Sequence, residues 1–210
     1  MAAIVLSALA VVSAALTIGL ELRPRGGAYY VLKPLTTSLI ILVALLATTP
    51  VPAAYKTFIL AGLVFSLAGD VFLMLPEKWF QAGLGSFLAA QALYILAFKP
   101  ETKAGLSAPV LLPFLLYGLL FFRMLSPSLG KLKLPVLIYT AAITVMAWLA
   151  ACRYVYRGGT KPLLAFVGAL LFLVSDSVLA YDRFAKKLGP ARLVILGTYF
   201  PAQLLIALSV

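Results

Sequence analysis

The chain has 210 residues, of which 64% are hydrophobic and only 11% charged, and its mean hydropathy is +1.10. A soluble domain of this size cannot hide that much apolar surface, so lipid is the solvent for most of the chain. The formal net charge of +11 comes from basic residues scattered over short connections, with no soluble face on which to bind nucleic acid. Histidine is absent and Cys152 is the only cysteine. That excludes an intramolecular disulfide, a cysteine or histidine metal site, Ser-His-Asp hydrolysis and a histidine proton relay. No cofactor and no metal are expected.

A spanning helix needs about 20 apolar residues. Taken in order, the chain offers eight such stretches, at residues 3–20, 31–48, 57–75, 79–98, 108–125, 134–152, 163–181 and 193–209. The first has no Lys or Arg before it and is long for the core of a signal peptide, so it reads as a retained helix. The connections carry turn chemistry, such as Pro24-Arg25-Gly26-Gly27, Lys99-Pro100, Ser126-Pro127, Gly158-Gly159 and Gly189-Pro190. None is long enough for a soluble domain. The runs lack the apolar/polar alternation of a β-barrel. The expected fold is an all-α polytopic bundle of about eight transmembrane helices forming a single domain over residues 1–210.

Connections after odd-numbered helices, counting Lys33 among them, hold eleven Lys and Arg; those after even-numbered helices, counting Arg153, hold six. The positive-inside rule then puts the odd connections in the cytoplasm. Helices three and seven both run toward that face and carry similar segments, Gly69-Asp70-Val71-Phe72-Leu73 and Ser175-Asp176-Ser177-Val178-Leu179. Four helices separate them, which suggests a tandem repeat of four plus four helices.

Asp70 and Asp176 are the candidate functional residues. A carboxylate amid hydrocarbon costs about 2.5–3.5 kcal/mol on insertion scales and is normally retained for function. Both lie on stripes of small residues, Gly62, Ser66 and Gly69 on one helix and Gly168 and Ser175 on the other, so both should face protein. Lys33, Tyr139 and Tyr199 fall at comparable depth, and Gln91, Tyr94 and Gln203 lie deeper. A pocket entered from the odd-connection face is expected to hold Lys33, Asp70, Tyr139, Asp176 and Tyr199, with Gln91 and Gln203 toward its floor. Glu21, Glu77, Glu101 and Asp182 are expected to be solvated.

Lys33-Pro34-Leu35-Thr36-Thr37, Gly69-Asp70-Val71-Phe72-Leu73-Met74, the segment Phe87 to Phe98 with Tyr94, Tyr139 through Met146-Ala147-Trp148, Ser175-Asp176-Ser177, and Tyr199 with Ala202-Gln203-Leu204 together resemble the YhhN-like lysoplasmalogenase family. The resemblance runs from helix two to the C-terminus. It implies a multi-span membrane hydrolase, expected in a prokaryotic cell membrane, that takes a lysophospholipid from the bilayer. It would cleave the vinyl ether bond of lysoplasmalogens to a fatty aldehyde and a glycerophospho-base. Many members have His where this chain has Gln91, and Gln can both donate and accept in its place.

Vinyl ether hydrolysis needs a proton on the β-carbon of the alkene, then water at the resulting oxocarbenium ion. One protonated carboxyl and one carboxylate meet that need, as paired carboxyls do in glycosidases. Asp70 and Asp176 are the candidates for the pair. Lys33 is the candidate for binding the substrate phosphate, and Tyr139, Tyr199 and Gln203 for orienting glycerol oxygens or water. The rival readings are an ion- or proton-coupled transporter or channel using the same aspartates, and a non-catalytic lipid-binding scaffold.

Overall fold

The computed structural model describes residues 2–21, 26–48, 50–100 and 106–210. These residues contain eight helices long and apolar enough to span a membrane, and no strand. The helices are α1 (Ala2–Leu20), α2 (Gly27–Leu45), α3 (Ala53–Met74), α4 (Phe80–Phe98), α5 (Ala108–Leu125), α6 (Lys133–Arg157), α7 (Thr160–Ala180) and α8 (Ala191–Leu208). Their formation follows from the solvent: with no water in the hydrocarbon, each segment must satisfy its own backbone donors and acceptors. The all-α polytopic bundle expected from composition is the observed fold.

Most boundaries fall near their expected positions, but two differ in ways that matter. α2 starts at Gly27, not residue 31, so Lys33 and Pro34 lie in its second turn, and Lys33 is buried. α6 continues to Arg157, and Arg153 is buried with its guanidinium 4.3 Å from the ring centre of Tyr55. Apolar run length misses the extension of α6 because it opens with Arg153, a charged residue that finds an internal partner. Neither cation belongs to a connection, which leaves ten basic residues against five in the orientation count. Arg23, Arg25, Lys103 and Glu101 lie outside the described residues.

Turns are tight. Short 3₁₀ segments at Glu77–Trp79, Ser126–Ser128 and Gly130–Leu132 make up most of two connections. Between α6 and α7 the chain reverses through Gly158 and Gly159, at φ +64° and +82°. That left-handed backbone is open to glycine at little cost. After Ala180 the chain of α7 continues as one π-helical turn, Tyr181–Ala185. Such turns are frequent at functional sites.

Six helices form the core and two flank it. α1 packs on α2 and α8 through a narrow stripe, Ala10, Ser13 and Thr17, whose hydroxyls meet that of Thr36 on α2 at 2.7 and 3.4 Å. α5 packs mainly on α6 and exposes Leu112, Leu116, Leu119 and Leu120 to the lipid. The most extensive pairings are α3 with α4 and α7 with α8. Small residues make them possible. A Cβ on Gly62 would stand 2.3 Å from the ring of Tyr94, and one on Gly168 would stand 2.8 Å from the backbone oxygen of Ala202.

The second contact is with main chain, which cannot rotate away. Gly168→Ala is therefore expected to destabilise the bundle by about 1–3 kcal/mol, the usual cost of overpacking. Gly197→Ala on α8, where a Cβ meets nothing within 4 Å, should be neutral or gain up to about 1 kcal/mol of helix propensity. Thermal unfolding of the two variants in detergent checks this pair.

Candidate functional site

Each aspartate sits in its own nest of donors. Asp70, 1% exposed, has Oδ1 3.2 Å from Nζ of Lys33 on α2. Its Oδ2 accepts hydrogen bonds from Oγ1 of Thr37 and from the hydroxyl of Tyr199 on α8, both at 2.7 Å. Lys33 and Thr37 are one turn apart on α2 and so present to α3 together. Hydrogen bonds to a charged group contribute about 1.5–3 kcal/mol each, and a buried ion pair holds only when its remaining lone pairs are satisfied in this way.

Asp176 is held by neutral groups. Its Oδ2 accepts from Nε2 of Gln91 on α4 at 3.0 Å and from the hydroxyl of Tyr139 on α6 at 2.5 Å. No cation pairs with it among the described residues, and its Oδ1 accepts no hydrogen bond. Gln91 therefore acts as a donor here. It does not lie on the floor of a common pocket but against the carboxylate itself.

A third group is purely polar and uncharged. Tyr94 donates to Oε1 of Gln203 at 2.7 Å, and Nε2 of Gln203 donates to Oγ of Ser66 at 3.0 Å. Gln203 thus ties α8 to α3 and α4. The two carboxylates share no hydrogen-bond partner. Their nests are linked by packed rings: Phe87, Phe172 and Tyr199 lie with centroids 5.7–6.2 Å apart. Phe172 is one turn from Asp176, and Phe87 one turn from Gln91.

Two cavities open among these elements. One, of about 400 Å³, lies among α4, α5, α6 and α7, and its wall is nearly all apolar. Asp176 and Tyr139 break that wall, together with Tyr117 and Ser177, whose hydroxyls are 2.5 Å apart. The other, of about 340 Å³, is lined by charged groups including Glu21, Lys33, Asp182, Arg183, Lys187 and Arg192. The cavities adjoin: Phe80 and Leu179 line both. The charged cavity lies at the odd-connection end of the bundle, and the apolar one reaches from that end to Leu88, Tyr117 and Ile143 within their helices. An apolar slot thus adjoins a charged chamber.

The single pocket expected from depth is thus divided. Asp176 and Tyr139 face the apolar cavity and Lys33 faces the charged one. Asp70, Tyr199, Gln91, Tyr94 and Gln203 line neither and are packed inside the bundle. Glu77 is solvated as expected, with its side chain 77% exposed, but that of Glu21 is only 2% exposed. Sequence reasoning passed over Thr37 as a ligand of Asp70, although its place four residues after Lys33 puts it on the same face. It also passed over the Tyr117–Ser177 pair, because a hydroxyl on an apolar helix carries no signal of what stands opposite.

Comparison with known proteins now bears on this arrangement. The chain is similar to lysoplasmalogenase TMEM86B of Sus scrofa, with 39% identity over 171 residues that cover 80% of this chain and 70% of the relative. It is 38% identical to lysoplasmalogenase TMEM86B of Homo sapiens over 156 residues, 74% of this chain and 64% of the relative. It is 29% identical to the uncharacterized membrane protein YhhN of Shigella flexneri over 180 residues, 86% of each chain. No solved structure matches it. The sequence pattern that defines the YhhN family matches residues 28–210, from the start of α2 to the end of the chain, and the protein belongs to that family.

Proposed function

We propose that this protein is a lysoplasmalogenase, a membrane hydrolase that cleaves the vinyl ether bond of lysoplasmalogens with Asp70 and Asp176 as its working carboxyls. Relatives named lysoplasmalogenase support the reaction class. The observation that carries the mechanism is the position of Asp176, a carboxyl held by neutral donors in the wall of an apolar slot that adjoins a charged chamber.

In a vinyl ether the β-carbon is on the chain side of the double bond and the ether oxygen on the glycerol side. With the chain in the apolar cavity and the head group in the charged one, the β-carbon comes to the Asp176 side. Asp176 gives it a proton, forming the C–H bond, and positive charge develops on the α-carbon and ether oxygen. The Lys33–Asp70 pair lies toward the head group, where Asp70, packed inside the bundle, stabilises that cation through space and holds Lys33 at the chamber wall. Water adds and loses a proton, which restores the acid. The hemiacetal then collapses, its hydroxyl proton passing to the leaving glycerol oxygen. One water is consumed, and the products are a fatty aldehyde and a glycerophospho-base.

The nests also support a four-plus-four repeat. Asp70 on α3 draws partners from α2 and α8, and Asp176 on α7 draws them from α6 and α4. Advancing each helix by four, cyclically, converts one set into the other, and the peripheral helices α1 and α5 correspond too. With the odd connections in the cytoplasm, substrate would enter from the inner leaflet.

The purified protein should release aldehyde from a lysoplasmalogen and nothing from an ester lysophospholipid of matched chain. Run in D₂O, the aldehyde should carry one deuterium at carbon 2, the former β-carbon. Unlabelled aldehyde would sink proton transfer to carbon as a step, and proton or cation flux lost in Asp70→Asn would favour transport instead. Asp176→Asn and Asp70→Asn should each lower kcat by at least about a hundredfold, the scale of general acid–base catalysis, with elution from a sizing column unchanged.

Tyr139→Phe removes one of the two donors to Asp176. Losing a hydrogen bond of about 1.5–3 kcal/mol should lower kcat about ten- to a hundredfold in the same assay. Tyr94→Phe, which touches Gln203 and neither carboxylate, should act chiefly on stability.

A further inference from the structure

Hydrolysis needs a water beside the reacting carbons, and one pair of hydroxyls in the apolar cavity has no part in holding either aspartate. Tyr117 stands on α5, a helix that buries only Gly118 and Leu125. Gly118 lets α5 approach α6, since a Cβ there would stand 2.8 Å from Oγ1 of Thr144. The Tyr117 ring stacks on Phe121, one turn further on, with centroids 5.8 Å apart and planes inclined by 7°. Both rings line the apolar cavity, and the phenol oxygen lies 2.5 Å from Oγ of Ser177. Ser177 follows Asp176 in the chain and lines the same cavity.

Counting protons fixes the direction of that hydrogen bond. A serine hydroxyl has one proton. Ser177 donates it to the backbone oxygen of Leu173, one turn back, at 2.6 Å. Tyr117 must then donate to Ser177. The lone pairs of the Tyr117 oxygen remain, and no other described residue hydrogen-bonds to them. At Asp176 the count is similar. Oδ2 already accepts from Gln91 and Tyr139, so Oδ1 is the oxygen that carries the proton of the acid. Once that proton has moved to carbon, Oδ1 is an acceptor without a donor. One cavity wall thus carries two acceptors, the phenol oxygen and Oδ1. Water has two protons on one oxygen, and a buried water takes about two to four polar partners.

We propose that Tyr117 and Asp176 hold the nucleophilic water between them, the water donating one proton to the Tyr117 oxygen and the other to Oδ1, with Ser177 fixing the direction of the phenol. The proposal rests on the lysoplasmalogenase reading and adds the site of its second reactant. A lone pair of the water forms the new bond to the α-carbon, and the π electrons shared with the ether oxygen return to that oxygen. The proton facing Oδ1 passes to it and restores the acid. The other stays on the hemiacetal hydroxyl, hydrogen-bonded to Tyr117 until the hemiacetal collapses. Tyr117 touches the reacting water and is a catalytic residue; Ser177 acts through it and is a positioning residue.

Partition of the cation between two nucleophiles tests this. The 210-residue chain, solubilised in detergent, is given a lysoplasmalogen in buffer containing methanol. Water yields aldehyde. Methanol, adding at the same carbon and losing its one hydroxyl proton to Asp176, yields a mixed acetal that mass spectrometry separates from the aldehyde. The ratio of the two products does not depend on how much of the protein is folded. Wild-type protein should give far less acetal than the solvent composition dictates, because methanol can meet only one of the two acceptors. Tyr117→Phe should raise the acetal-to-aldehyde ratio about tenfold, the scale of one lost hydrogen bond, and Ser177→Ala should raise it by less. Tyr94→Phe, which loosens the core elsewhere, should leave the ratio alone. An unchanged ratio in Tyr117→Phe overturns the water site while leaving hydrolysis standing, and so does a wild-type ratio that matches the solvent. If Tyr117→Phe does not elute as a folded species, Ser177→Ala decides in the same way. A wild-type protein that yields neither product sinks the hydrolase reading itself, and the water site with it.

Discussion

Burying Asp70 beside Lys33 in an apolar bundle is the constraint on which the rest of the structure depends. A lone carboxylate at that depth is unfavourable by several kcal/mol. Its lone pairs are met by Lys33, Thr37 and Tyr199, so α2, α3 and α8 must hold one register relative to one another. The register in turn explains the small residues. α7 can reach α8 closely only because Gly168 has no side chain against Ala202, and α3 can reach α4 because Gly62 leaves room for Tyr94. Tyr94 then holds Gln203, which holds Ser66 on α3. Removing one partner of the ion pair would leave the other buried and uncompensated, which costs more than the pair contributes.

Asp176 follows the same plan with a different chemistry. It also sits where three helices meet, but its donors, Gln91 and Tyr139, are neutral, and one face of its environment is an apolar cavity. The two carboxyls thus have unequal surroundings. Unequal surroundings are what separate an acid from an ionised carboxylate in enzymes that use two of them. The aromatic rings of Phe87, Phe172 and Tyr199 keep the two nests apart while packing them into one rigid core.

The flanking helices differ from the core in what they contact. α1 and α5 bury little and leave much of their surface to lipid. Lipid offers them no hydrophobic incentive to associate, so they are held by small contacts: hydroxyls of Ser13, Thr17 and Thr36 for α1, and Gly118 against Thr144 for α5. The apolar cavity lies on the α5 side, away from the tight pairings of α3 with α4 and α7 with α8.

The eight helices, their order and the burial of Asp70 and Asp176 were legible in the chain, because hydropathy and the high cost of charge in lipid act locally on each segment. Family membership was legible as well, from short motifs in a fixed order. Lys33 and Arg153 were misplaced as residues of connections, since composition does not show that a cation at the end of an apolar run will turn inward to a partner. Two further matters were decided only by the fold. The carboxylates stand in separate nests, although their equal depth suggested one pocket, because depth along a helix says nothing of the angle between neighbouring faces. Glu21 and Lys33 share one cavity wall because α1 and α2 pack side by side, an adjacency set by hydroxyl contacts and small residues that hydropathy does not encode. The sequence by itself determined that Asp70 and Asp176 are buried; tertiary packing decided which groups they meet.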